Sequence, residues 1–583
     1  MNDALPSPAL SRTVSPKRVL AALAASVSLA TATGLLAGCG SSKPPSTSAD
    51  PASVTPAGAV IYVGATVRPP AAVAKQALAA GRAFTHQANP FLQLLAALQT
   101  PGSATLDYSR DVAPWLGAHA GIFLSSWRSS SGLPLLLERG LLGSGSSGSA
   151  FPFTGGGAEG AIVLDTSNAT KAHTFLEGQA RRAHARARSF RGIHYRSSPE
   201  GVCFAIVKRF AVIGSEAALH QVIESAASGG SLAQAGSYTK LLASAPAHAL
   251  AHVYLKPAGT ARPAGEEGLP DLLQALAGVR EANASLLLAP NSLSVDADTL
   301  ASAGSQAEGG LLSGDPQAAQ ALNELPGESW LAIGLGHLGA TLSKDAQDIG
   351  QLVSLGSALG SSGPVAPTNS FGLGPLLQAL TAPLQVLGAD NAQAKREFAS
   401  WMGSAGIFAS GASLLELRAA VSITSTNGAR SRAAVGELAA ALRKTGTASI
   451  GPASIPGADA AVAARLNGLP LPLYIADGVA TGGQRKFVLG LGEASVTAAL
   501  HPSSTLESST SRAAAASSLG EGIQPSLIVS FPPLLSVFEA AGLLEAPPLS
   551  QFLPYLRTLG VLTGGGRQLS GEVQRLRLTV GLQ

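Results

Sequence analysis

The sequence predicts an α+β protein of two homologous domains, each an antiparallel sheet with packed helices. Three observations carry that reading. First, the order of elements in the first half returns in the second. The segment "PWLGAHAGIF" at Pro114 to Phe123 comes back as "SWMGSAGIF" at Ser400 to Phe408. Second, runs that alternate apolar and polar residues interleave with segments of helical apolar period. Third, "CFAIVKRFAVIG" reads as two strands joined through Lys208-Arg209, a two-residue hairpin connection that implies antiparallel pairing.

The elements follow in order. Residues 1 to 38 read as an export signal: Lys17-Arg18 supply positive charge, and Val19 to Leu36 form a short uncharged run ending in small residues. Residues 39 to 56, "CGSSKPPSTSADPASVTP", read as a flexible tether, spanning at most about 60 Å at roughly 3.5 Å per residue. The first repeat is expected over residues 57 to 310 and the second over 326 to 583. "TPAGAVIYVGATV" from Thr55 matches "LPGESWLAIGLGHL" from Leu325, each a Pro-led turn into a strand. "PFLQLLAALQ" from Pro90 and "PLLQALTAPLQ" from Pro375 read as apolar helices. "AIVLDTSNATKAHTFLEGQARRA" matches "AAVSITSTNGARSRAAVGELAAA", a strand, a polar turn and an amphipathic helix. "KRFAVIGSEAALHQVI" matches "RKFVLGLGEASVTAAL", a strand running into a helix with Glu216 or Glu493 in its first turn, where a carboxylate suits the helix dipole. Each half closes on a strand pattern, near Ser292-Asp298 and Gln574-Thr579. A Gly/Ser-rich segment at about 126 to 159 has no counterpart and reads as a surface insertion. Constant order at weak similarity reads as duplication of a unit of roughly 250 residues.

Leu36-Ala37-Gly38-Cys39 resembles the lipobox of bacterial lipoproteins. The resemblance implies cleavage before Cys39 and lipidation of its sulfur. A diacylglyceryl group supplies the two chains that stable anchoring needs. The expected location is the outer face of the cell membrane. The repeated units also resemble a family of exported bacterial proteins, often lipoproteins, known only as a domain of unknown function. "PAGAVIYVGATVRP", "AIVLDTSNATKAHTFL" and "FAIVKRFAVIGSEAALHQVIE" with "SLAQAGSYTKLL" carry that resemblance. It implies an extracytoplasmic domain and transfers no site residue.

Composition excludes some classes. The formal charge is +4, and removing residues 1 to 38 leaves 36 basic and 34 acidic side chains. That balance argues against a nucleic-acid partner. Charged residues are 13% of the chain, about half the usual share. With Cys39 modified, Cys203 has no partner for an intrachain disulfide and reads as a buried thiol.

Several motifs fall short of chemistry. "GLGHLG" at Gly334 to Gly339 fits G-x-G-x-x-G but lacks the acidic residue about 20 positions on that a dinucleotide site needs. "SYTK" at Ser237 to Lys240 has S-x-x-K spacing, yet the "KTG" at Lys444 to Gly446 ends a helical segment with Gly446 as its cap. His248 and His252 lie four apart in a strand-like run without a carboxylate nearby. No catalytic residue, cofactor site or metal site is assigned. The one basic cluster, "ARRAHARARSFRGIHYR", offers Arg181, Arg182, Arg186, Arg188 and Arg191 as contacts for an anionic surface, with a solvated helix end as the plainer reading.

The expected function is a non-enzymatic, lipid-anchored envelope protein acting as a binding or scaffolding module, with an envelope protein or lipid as partner. The alternative is a carrier of lipid or another apolar ligand between membrane and envelope. A solute receptor fits less well, because hairpins rather than parallel α/β units dominate.

Overall fold

Short runs of β-branched and small apolar residues supply most of the strands, whose backbone groups pair with neighbouring strands while packed helices bury their faces. The structure, a computed structural model, describes residues 48–71, 73–76, 107–127, 158–256, 279–301, 314–339, 399–413, 415–444, 446, 448–466, 471–542, 544, 549–570 and 572–583. The export signal, Cys39, the helical segments at Pro90 and Pro375 and most of the Gly/Ser-rich segment lie outside the described residues.

In the first half the strands are β1 (Ile61–Thr66), β2 (Leu116–Trp127), β3 (Ala158–Thr166), β4 (Arg186–Phe190), β5 (Ile193–Ser197), β6 (Val202–Val207), β7 (Phe210–Ser215), β8 (Ala251–Leu255), β9 (Val279–Ala289) and β10 (Ser292–Ala301). In the second half they are β11 (Leu331–Leu335), β12 (Met402–Ser410), β13 (Arg418–Ser425), β14 (Ala448–Pro452), β15 (Ala458–Leu466), β16 (Leu473–Val479), β17 (Arg485–Leu491), β18 (Gln524–Ser530), β19 (Leu559–Gln568) and β20 (Val573–Leu582). All pairings are antiparallel. Across the sheet the order is β4-β5-β6-β7-β3-β2-β1-β8-β9-β10, then β20-β19-β18-β11-β12-β13-β17-β16-β15-β14. The second series repeats the first in reverse, strand for strand.

This corrects the expected fold class. The two halves do not form two separate sheets: all twenty described strands belong to one continuous antiparallel sheet. The reason lies in the closing strands. β10 and β20, the strand patterns that end each half, pair with each other from Ser292↔Gly581 to Leu300↔Val573. An open edge leaves a row of unpaired backbone groups, and here each half covers the edge of the other.

Charge fixes this seam. Asp296 and Asp298 on β10 are fully buried, opposite Arg577 and Arg575 on β20. Arg575 donates to both Asp298 oxygens, at 2.7 and 2.8 Å, and Arg577 donates to both Asp296 oxygens at 2.6 Å. The Asp298 carboxylate holds the Arg575 guanidinium above its ordinary pKa.

Helices cover both faces of the sheet. Among the described residues they are α1 (Ala169–Arg182), α2 (Glu216–Ser228), α3 (Gly236–Ser244), α4 (Pro316–Asn323), α5 (Gly428–Lys444), α6 (Glu493–Leu500), α7 (Thr510–Leu519), α8 (Phe531–Ala540) and α9 (Leu549–Leu556). On one face, Leu176 of α1 packs over Phe204 and Ile213, and Val435 and Leu438 of α5 pack over Ile475 and Leu489. On the other, Leu219 and Val222 of α2 join Tyr62 and Val212, while Val496 and Leu500 of α6 join Phe408 and Val488. The seam arginines also reach the helices of this second face. Arg575 donates to the Ser244 carbonyl oxygen at the end of α3, and Arg577 donates to that of Leu519 at the end of α7, at 2.9 Å. Helix C-termini favour cations there.

The expected tether, residues 39 to 56, also ends sooner than its composition suggests. Asp50 caps a short 3-10 turn over Pro51–Ser53 by accepting from the Ala52 N–H at 2.9 Å. Pro51, Ala52, Val54 and Thr55 are buried, and the Thr55 carbonyl accepts from the Leu232 N–H at 2.7 Å. The second half repeats this: Asp315 caps α4 with Pro316 at its first position, and the Leu325 carbonyl accepts from the Leu506 N–H at 2.8 Å. Asp-Pro is thus a helix-start signal in both halves.

Replacing Arg575 with Ala leaves the Asp298 carboxylate buried without its two-pronged partner. The expected cost is about 3–5 kcal/mol, read as a lowered urea midpoint. An unchanged midpoint would show that the seam does not hold the halves together.

Candidate functional site

The basic cluster sits at one end of the sheet, and the fold sorts its arginines by task. Arg181 and Arg182 occupy the last turn of α1. Arg186 and Arg188 lie on β4, the terminal strand, whose residues 186 to 189 are all exposed. Arg191 and Gly192 form the two-residue turn to β5, both with positive φ, at 49° and 80°. Gly is at home in that conformation, whereas an arginine there is strained.

Three interactions fasten β4 to α2, which begins at Glu216 with Ser215 as its cap. Arg188 donates to Glu216 at 3.0 Å, and Arg191 pairs with Glu224 at 2.9 Å. The Phe190 ring stacks on His220 with centroids 3.8 Å apart. Behind them the Tyr195 hydroxyl donates to Glu216 at 2.5 Å and lies 3.1 Å from His220 Nε2. On the opposite face, Arg196 of β5 donates to Glu177 of α1 at 3.0 Å and holds that carboxyl below its ordinary range. A shallow cleft of about 280 Å³ opens beside this pair, lined by His173, His194, Phe204 and Ile206 among others.

The five arginines singled out in the sequence therefore do not make one patch. Arg188 and Arg191 are committed to glutamates of α2. Arg181 donates to the Glu177 carbonyl oxygen at 3.3 Å, one turn back. Among the described residues Arg186 is the arginine of β4 without a carboxylate partner. Glu224, Tyr195 and His220 complete the arrangement, and no motif in the sequence points to them. Glu216 alone was visible, as the first residue of a helix.

The other end of the sheet serves as an internal comparison. α5 also ends on two basic residues, Arg443 and Lys444, so in both halves a basic pair answers to the helix dipole at this position. β14, the counterpart of β4, reads Ala-Ser-Ile-Gly-Pro and carries no charge. Proline lacks the N–H that an added strand would use. Pro452 thus removes one outward N–H from β14, which carries no charge, whereas β4 is basic and clamped.

The family described as "Protein of unknown function (DUF3352)" matches residues 19–568. The chain belongs to this family. No curated protein matches the sequence. Among solved structures, two crystal forms of TP0453 are similar at 11% identity, with TM-scores of 0.24 and 0.22. They cover 45% and 44% of this chain and 82% of their own. A likeness at that level carries no argument about fold or function.

The motifs of this DUF3352 chain resolve into packing. In "GLGHLG" a Cβ at Gly334 would lie 1.8 Å from the Ala318 carbonyl oxygen, and one at Gly336 would lie 1.7 Å from Asp315. These glycines let α4 cross β11 closely; they cradle a helix, not a phosphate. Lys240 of "SYTK" turns outward to Glu572. Gly446 takes φ +68°, as a helix-capping glycine does. His248 lies in the turn before β8, whereas the His252 ring meets the Tyr238 hydroxyl at 3.0 Å, and burial lowers its pKa. Among the described residues no group of three or more His, Cys, Asp or Glu could hold a metal ion. Nor, among them, is any helix long and apolar enough to cross a membrane.

Cys203, on β6 beneath α2, is a fully buried free thiol. Burial pushes it up to about 11, and burial with the Glu216 hydrogen bond pushes the Tyr195 hydroxyl up to about 12. The folded state favours the protonated form of both. Above about pH 9 the unfolded chain releases these protons first, so stability falls as pH rises through the 9–12 window. Urea midpoints should be lower at pH 10.5 than at pH 8, and Cys203→Ala should remove the early part of the fall. Equal midpoints at the two values would contradict the assignment.

Proposed function

We propose that the protein is a non-enzymatic binding module of the cell envelope, anchored by lipid on Cys39 and meeting an anionic partner at the β4 end of its sheet. The observation that carries this is the difference between the two ends. The same position in the same strand order holds Arg186–Phe190 at one end and an uncharged strand ending in proline at the other, so the fold does not require arginine there.

A basic surface near an anionic one gains about 1 kcal/mol per charge. The triple variant Arg181→Gln, Arg182→Gln, Arg186→Gln should elute from heparin at clearly lower salt than the parent chain. The control Arg443→Gln, Lys444→Gln, at the other end, should shift it less. Equal shifts for both variants would remove the special role of the β4 end.

A second reading, a carrier of an apolar ligand, draws on the seam. Its ion-paired face is closed, but on the opposite face Leu288, Val295, Leu562, Leu576, Leu578 and Val580 are only partly buried across four adjoining strands. Mass spectrometry of the full chain purified from membranes tests both readings. The anchor predicts a diacylglyceryl mass on the peptide that begins at Cys39, and a carrier predicts a stoichiometric lipid released by solvent. An unmodified Cys39 would overturn the anchor, and a ligand-free protein would overturn the carrier.

A further inference from the structure

We propose that the outer edge of β4 accepts an acidic segment of another polypeptide as an added β-strand. The inference rests on the reading of the β4 end as the binding surface and goes further by naming the partner's chemistry. In a two-residue hairpin the pair flanking the turn, here Phe190 and Ile193, is hydrogen-bonded. Alternation then directs the N–H groups of Arg186, Arg188 and Phe190 toward β5 and those of Ala187 and Ser189 outward. Along β4 the pairing with β5 runs without a register shift from Arg186↔Ser197 to Phe190↔Ile193. No proline, glycine or bulge interrupts the edge, unlike β14 with Gly451 and Pro452. Natural edges are normally blunted by such devices.

The strand is also held still. Arg188 on Glu216, Arg191 on Glu224 and Phe190 on His220 fix three of its contacts to α2. A fixed edge loses little conformational freedom when a strand is added. Charge then selects the occupant. A second copy would bring a second Arg186, which has no carboxylate partner among the described residues, onto the same short edge, and like charges close together across a strand pair are unfavourable. A segment with carboxylates at alternate positions offers one to Arg186, and its next one lies about 6.6 Å along the same face, beside the Arg188–Glu216 pair. A bilayer surface reads the same charges but makes no use of the Ala187 and Ser189 N–H groups.

The test uses the full chain and a capped peptide alternating Glu with Val and Thr, alongside vesicles containing an anionic lipid. Ala187→Pro removes one outward N–H and leaves every charge and every bond to β5 in place. The peptide should bind the parent chain, and binding should fall at least tenfold in Ala187→Pro and in Arg186→Gln. Amide exchange at Ala187 and Ser189 of the unmodified chain should slow when the peptide binds, an observation that needs no variant. Peptide binding within twofold of the parent in a folded Ala187→Pro chain, or unchanged exchange at both amides, would overturn the inference. Vesicle binding that depends on Arg186 but not on the Ala187 N–H, without peptide binding, would overturn it and leave the basic-end reading standing. Binding of neither probe would remove both.

Discussion

The buried ladder of Asp296, Asp298, Arg575 and Arg577 is the constraint on which the rest of this sheet depends. Taking four charges out of water costs several kcal/mol per ion unless geometry restores the loss. Here each aspartate receives two bonds from one guanidinium, and each guanidinium also donates to a helix carbonyl. Such a seam tolerates one pairing. β10 against β10 would bury aspartate beside aspartate, and β20 against β20 arginine beside arginine. The two halves of one chain complement each other where two copies of either half would repel. The seam thus selects its partner more than it supplies net stability.

Once β10 and β20 are joined, the edges of the sheet, among the described strands, are β4 and β14. They stand nine strands from the seam on either side, and the rest of the architecture has to manage them. β14 ends in Gly-Pro, which discourages further pairing. β4 keeps an unbroken register with β5 and carries two arginines, and Arg188 and Phe190 tie it to α2. The strain accepted at Arg191, a non-glycine residue with positive φ, fits a turn kept for its contact with Glu224 rather than for its backbone preference. The cluster in the sequence is therefore a clamp with a free rim, and Arg186 is the part of the rim on the strand itself.

Local structure was legible in the sequence because its signals are local. The strand, polar turn and helix of "AIVLDTSNATKAHTFLEGQARRA", the Lys208-Arg209 hairpin and the helix starts at Glu216 and Glu493 all stand where period and capping put them, although β2 and β3 run into both ends of the expected 126–159 insertion. The pairing of β10 with β20 was not legible. "SLSVDADTLA" alternates as a half-buried strand does, and alternation cannot tell water from an arginine 277 residues away. The start of the folded part was missed for a different reason. Proline and serine made Asp50 to Thr55 look like tether, although Asp-Pro caps a helical turn there as it does at Asp315. The site was legible as a charge cluster but not as a clamp, because the glutamates that bind Arg188 and Arg191 lie on another helix.

The most direct test of a single sheet held at its seam is native-state hydrogen exchange on the full chain. The account predicts that the ladder amides of β10 and β20, around Asp296 to Asp298 and Arg575 to Arg577, exchange with the slowest class. They should open only with global unfolding. Early exchange at those amides, with two groups of slow amides opening independently in the two halves, would contradict it.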